Sequence, residues 1–128
     1  MVQLVTKDIR VSIRTRFQGA FINNGLKQYA FAYTIRIKNE GKHIVQLKAR
    51  HWQIKDALND IDLVYGEGVV GKKPVIKPNE SYTYSSGCLL SAPFGSMSGY
   101  YEMVNIETAT KFKATIPNFK LNAAFAMN

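Results

Sequence analysis

Tyr29-Ala30-Phe31-Ala32-Tyr33-Thr34-Ile35-Arg36-Ile37-Lys38 decides the fold. Bulky apolar side chains take every second position, and small or polar ones fill the gaps. Successive side chains of a strand point to opposite faces. This period of two therefore sends Tyr29, Phe31, Tyr33, Ile35 and Ile37 inward and Ala30, Ala32, Thr34, Arg36 and Lys38 outward. The same period holds upstream, where Ile9, Val11 and Ile13 alternate with Arg10, Ser12 and Arg14. Downstream, Asn39-Glu40-Gly41-Lys42 reads as a turn, since Asn and Gly tolerate positive φ. A third strand follows from about His43 to Ile54, with Val45, Leu47 and Ala49 on one face. Ile61 to Tyr65 makes a fourth. Ser81 to Ser86 makes a fifth, opened by the turn Lys77-Pro78-Asn79-Glu80. Tyr100 to Ile106 and Lys111 to Ile116 form a last hairpin around Glu107-Thr108-Ala109. No segment carries a helical period over three turns. Seven short strands with turns between them predict an all-β, antiparallel two-sheet sandwich of the fibronectin type III or immunoglobulin-like kind. Its core is expected from Ile9, Val11, Ile13, Phe31, Tyr33, Ile35, Val45, Leu47, Met103, Phe112 and Ile116, with Trp52 packed among them.

Composition agrees with a single domain over residues 1–128: 46% of residues are hydrophobic and 20% charged, which suits a globular chain and not a disordered one. The lone cysteine, Cys88, cannot form an intrachain disulfide, so a reducing compartment is expected. Met1 to Phe17 lacks the continuous apolar core of a signal peptide, and no run is long enough for a membrane span. The expected location is the cytoplasm. The net charge of +8 favours acidic partners without choosing among them.

Catalytic signatures are weak. His43 and His51 stand eight residues apart in no period that makes them converge, Cys88 reads as a buried inert thiol, and no serine sits in a nucleophile elbow. The Asp56, Asn59, Asp60 and Asp62 cluster lacks the spacing of a calcium loop and reads as a solvated turn. Two histidines and one cysteine fall short of a zinc set. The chain is expected to be no enzyme and to need no metal or cofactor.

Gly66-Glu67-Gly68-Val69-Val70-Gly71 has the G-x-G-x-x-G spacing of dinucleotide loops. Lys72, Lys73, Pro74 and Pro78 follow, so no helix can start there and a Rossmann site is excluded. Two readings stay open. Gly66, Gly68 and Gly71 with Lys72 and Lys73 could form a weak nest for a phosphate-bearing small molecule, or the glycines could serve only to turn the chain.

Two surfaces complete the reading. Arg10, Arg14, Arg16, Arg36, Lys38, Lys48 and Arg50 would form a basic stripe if the first three strands share a sheet. No outward aromatics accompany it, which argues against nucleic acid as the partner. Leu89 to Gly99 reads as a loop, since Pro93, Gly95, Gly99 and three serines interrupt its apolar residues. Leu90, Phe94 and Met97 either cap the sandwich or face a partner.

Five segments in order resemble the ApaG domain: Tyr29 to Ile35, Arg50-His51-Trp52-Gln53-Ile54, Gly66 to Gly71, Tyr84-Ser85-Ser86-Gly87, and Gly95-Ser96-Met97-Ser98-Gly99-Tyr100-Tyr101. The similarity spans about Asp8 to Leu121. Lys72-Lys73 departs from it, standing where the family more often has an acidic or neutral residue and then glutamine. The resemblance implies a fibronectin type III-like sandwich, a loose association with cobalt and magnesium tolerance, and a gene neighbourhood shared with a diadenosine tetraphosphate hydrolase. Similar domains inside certain F-box proteins and a polymerase-delta-interacting protein imply a protein-interaction module. A protein-binding module, with Leu90, Phe94, Met97 and Tyr100 as contacts, is the leading expectation. Weak anion or pyrophosphate binding at Gly66–Lys73 is the alternative. Oligomeric state is left open.

Overall fold

A computed structural model describes residues 1–57 and 61–123. All regular structure among them is strand: β1 (Val2–Thr6), β2 (Ile9–Asn23), β3 (Leu26–Asn39), β4 (Val45–Asp56), β5 (Ile61–Glu67), β6 (Val75–Ile76), β7 (Ser81–Leu90), β8 (Phe94–Asn105) and β9 (Thr110–Asn122). One sheet runs β1-β2-β3-β7. The other runs β5-β4-β8-β9, and β6 joins the start of β4. Every pairing is antiparallel. The chain folds as the antiparallel two-sheet sandwich that the alternation predicts.

The alternation also locates the core. The inward sets of β2 and β3 are buried, and they meet Leu47 and Trp52 of β4, Met97, Tyr101 and Met103 of β8, and Ile116, Phe119 and Leu121 of β9. At the centre, the Tyr33 and Trp52 rings lie 5.6 Å apart and Phe119 is 5.8 Å from each, within aromatic contact range. Two buried phenols satisfy each other: the Tyr84 and Tyr101 hydroxyls lie 2.5 Å apart. Burial raises both pKa values well above the ordinary tyrosine range, so both stay neutral. Of the expected core residues only Phe112 stays partly exposed, packed at the margin.

Among the described residues the structure has nine strands where seven are expected, adding β1 and β6, and it corrects the sequence reading at three further places. First, β2 and β3 run on into a two-stranded arm that turns at Asn24-Gly25, with φ of 52° and 77°. Positive φ at both central residues is what a tight hairpin needs, and Asn-Gly supplies it. Second, Leu89 to Gly99 is not a loop. It holds the end of β7 and the start of β8, joined only by residues 91–93. Its glycines serve close strand approach instead: a Cβ on Gly99 would lie 1.9 Å from the His51 carbonyl oxygen, and one on Gly95 2.4 Å from that of Lys55. Third, β4 belongs to the other sheet from β2 and β3. Lys48 and Arg50 therefore do not extend the basic face of Arg14, Arg16 and Arg36. A bulge between Leu47 and Ala49 then shifts the alternation of β4, so that Arg50 pairs with inward Tyr101.

Candidate functional site

The outer face of the β5-β4-β8-β9 sheet carries a group of exposed apolar and aromatic side chains. Register places Tyr65 of β5, His51 of β4 and Tyr100 of β8 in one row across three strands. His51 stacks on Tyr100 at 4.3 Å and 15°, and meets the edge of Tyr65 at 4.8 Å. Lys113 of β9 ends the row, its Nζ 4.6 Å from the centre of the Tyr100 ring, a cation–π distance. His51 Nε2 also pairs with the Glu102 carboxylate. The row is thus fixed at its centre by stacking and a hydrogen bond.

Along β5 the same face carries Ile61, Leu63 and Tyr65, and Leu63 is 80% exposed. β4 covers one edge of β5; no strand among the described residues pairs with the other. Phe94, at the start of β8, is half exposed and shares a depression with Ile61 and Lys55. The face therefore combines an unpaired backbone edge with apolar side chains beside it.

The four residues predicted as partner contacts separate. Phe94 and Tyr100 lie on this face. Leu90 and Met97 are each 1% exposed and belong to the core. Alternation explains the split once both segments are strands: odd positions of β8 point in and even ones out, while Leu90 stands on the inward, even-numbered face of β7. His51 and Tyr65 complete the row, and sequence reasoning missed them because only the register of β4 with β5 and β8 brings them together.

The glycine loop is a turn. The Gly68 N–H donates to the Lys48 carbonyl at 2.8 Å, Val69 N–H to the Lys72 carbonyl at 2.8 Å, and Lys72 N–H to the Val69 carbonyl at 3.0 Å. Three of the backbone donors that an anion nest would use are spent inside the loop. Val70 and Gly71 take φ of 48° and 75°, and Gly68 takes 64° with no space for a Cβ beside the Lys72 carbonyl. Gly66 has a different task. A Cβ there would lie 2.4 Å from Cζ of Arg50, whose Nη1 donates to the carbonyls of Glu67 at 3.2 Å and Gly68 at 2.8 Å. Lys73 lies 3.7 Å from the Glu67 carboxylate, and Lys72 is exposed. Gly66, Gly68, Gly71, Lys72 and Lys73, expected as a nest or a turn, form a hairpin turn clamped by Arg50.

The other chemical groups are placed as follows. His43 pairs with Glu107 and His51 with Glu102, and among the described residues no hydrogen bond joins either to Cys88. Burial, with the Asp56 carboxylate second, pushes the Cys88 thiol up to about 11, so little thiolate exists near neutral pH. Asp56 accepts a hydrogen bond from Ser91 N–H at 2.6 Å and so ties the end of β4 to the β7–β8 turn. Asn59 and Asp60 lie outside the described residues. Among the described residues no three of His, Cys, Asp and Glu gather as metal ligands, and no helix is long and apolar enough to cross a membrane.

Comparison with known proteins places these features. Residues 21–105 match the family model of the ApaG domain. Protein ApaG of Beijerinckia indica subsp. indica is 40% identical over 126 residues, covering 98% of this chain and 96% of its own. Protein ApaG of Methylorubrum extorquens is 43% identical over 123 residues, covering 96% and 94%. Among solved structures, a Bordetella pertussis protein provisionally named ApaA is 38% identical with a TM-score of 0.81, covering 91% of this chain and 94% of its own. A structural-genomics target solved by X-ray crystallography is 41% identical with a TM-score of 0.87, covering 91% and 88%. An Archaeoglobus fulgidus protein, 8% identical with a TM-score of 0.53, shares the fold alone. The chain belongs to the ApaG domain family.

Proposed function

We propose that this chain is a cytoplasmic protein-binding module whose contact surface is the outer face of β5, β4 and β8. One observation carries the reading: Ile61, Leu63 and Tyr65 are exposed along a strand whose second edge no described residue pairs with, beside the fixed row of Tyr65, His51 and Tyr100. An extended segment of a partner adds to such an edge through main-chain hydrogen bonds. Side chains beside the edge then supply selectivity. Aromatic residues suit interface centres, and contiguous exposed apolar surface marks interaction sites. Catalysis is not part of the reading, since the thiol is poorly ionised and both histidines are held in surface carboxylate pairs.

The test is a comparison of capture. Tagged wild-type protein and the double variant Leu63→Lys, Tyr65→Ala are passed over native cell extract. A specific protein retained by the wild type should be lost by the variant, while the thermal midpoint stays within a few degrees. Equal retention by both would move the contact surface elsewhere. A collapsed midpoint would make β5 a structural strand and remove the reading.

A further inference from the structure

At one end of the sandwich three turns converge: Lys7-Asp8 between β1 and β2, residues 40–44 between β3 and β4, and residues 106–109 between β8 and β9. They are joined to one another. The Glu40 N–H donates to the Asp8 carbonyl at 2.8 Å, and the Ile106 N–H to the Ile44 carbonyl at 2.9 Å. Arg10 Nε donates to the Glu40 carboxylate at 2.7 Å, and His43 pairs with Glu107. Asn39, the one buried polar or charged residue among the described residues, holds the middle turn from beneath. Its Nδ2 donates to the His43 carbonyl at 2.8 Å and the Ile76 carbonyl at 3.0 Å, and its Oδ1 accepts from Gly41 N–H at 2.9 Å. Turns stitched in this way lose little freedom when something binds between them.

Between the turns lies an open cleft of about 340 Å³. Ligand pockets occupy roughly 300–1,000 Å³, so it fits a small ligand only. Its lining combines two chemistries. Partly exposed Phe112 contributes apolar surface over the nearly buried Ile9 and Val45, while Lys7, Lys42 and Lys111 contribute three ammonium groups. Among the described residues none of these lysines is held in an ion pair. Asp8 is the single carboxylate in the lining, and Glu107 is engaged by His43. Three cations against one anion leave the lining two positive charges in excess. A phosphate monoester carries about −1.5 to −2 at pH 7, which matches that excess.

We propose that this cleft binds a small phosphate monoester with an apolar body, the body resting on Phe112 and Val45 and the phosphate among Lys7, Lys42 and Lys111. It lies away from the β5 edge and is independent of protein docking there. The reading is tested by backbone amide shifts of ¹⁵N-labelled protein titrated with phenyl phosphate, inorganic phosphate and phenol. Phenyl phosphate should give saturable shifts confined to residues 7–9, 40–45 and 105–112, and should bind at least about tenfold more tightly than either fragment. Lys42→Ala with Lys111→Ala should weaken it about tenfold or more while distant shifts stay native. Three results would overturn the proposal: inorganic phosphate binding as tightly as phenyl phosphate, shifts centred on Arg14, Arg16 and Arg36, or no saturable shift at all.

Discussion

The two edges of the five-stranded sheet are built on opposite plans. β9 carries Lys111, Lys113 and Lys120 on a strand interrupted by Pro117, and it lies against β1 and β2 of the other sheet. Edge lysines, an edge proline and a covering neighbour each keep another strand from pairing there. Among the described residues β5 has none of these. Its sequence, Ile61-Asp62-Leu63-Val64-Tyr65-Gly66-Glu67, holds no lysine and no proline, and its first five residues are all exposed. Soluble chains rarely leave an apolar edge in that state without a use for it. The contrast separates an edge that holds the sandwich together from the edge that carries the proposed contact surface.

Stability measurements can break that contrast most directly. Phe119 of β9 is buried against Tyr33 and Trp52. Phe119→Ala should cost about 3–5 kcal/mol through lost contacts and the cavity left behind. Leu63→Ala on β5 should change stability by no more than about 0.5 kcal/mol, as an exposed position does. Urea unfolding of both variants gives the two numbers. A loss at Leu63 near that at Phe119 would make both edges structural.

The turn that leaves β5 gives an intermediate effect. Gly68 sits at φ 64° with its would-be Cβ 2.3 Å from the Lys72 carbonyl oxygen. Gly68→Ala should therefore cost about 1–3 kcal/mol, in the range of backbone held where an L side chain does not fit. Lys72→Ala with Lys73→Ala should cost no more than about 0.5 kcal/mol, since both side chains are exposed. The same urea series decides it. Larger losses from the lysines than from the glycine would mean that charge, and not chain reversal, shapes this segment.

What could be read beforehand follows from how local each signal is. Tyr29 to Lys38 and Ile9 to Ile13 announce themselves, because two-residue alternation is a local property and burial of one face enforces it. β1 does not, since Val2 and Leu4 remain more than a third exposed and little burial enforces their pattern. Asn24-Gly25 is a strong hairpin signal that the reading passed over. Gly95 and Gly99 mislead in the other direction. Glycine there permits close approach of β4, and composition alone cannot tell this from a loop. Trp52 is correctly assigned to the core. The row of Tyr65, His51 and Tyr100 depends on the register of three strands from distant parts of the chain, so no local pattern reveals it. The glycine loop shows the same limit. The spacing was visible, but Arg50, the residue that Gly66 makes room for, comes from another strand.

The smallest effect asks whether β5 is held in place for presentation. If the edge is kept ready for a partner, the aromatic row should tie it to the sheet although it adds little to total stability. The Tyr65–His51 contact crosses from β5 to β4, and the His51–Tyr100 stack continues it to β8. Aromatic pairs contribute about 0.5–1.5 kcal/mol beyond their buried area, and the exposure of Tyr65 favours the low end. A double-mutant cycle of Tyr65→Ala and His51→Ala should give a coupling of about 0.5 kcal/mol in urea unfolding. Hydrogen exchange supplies the sharper readout. Breaking the contact should speed exchange of the β5 amides bonded to β4 while those between β8 and β9 stay unchanged, because local opening reports the stability of one element and not of the whole. No coupling and unchanged β5 exchange would leave the row as three neighbours without a shared task. The edge would then owe its position to the β4 ladder alone.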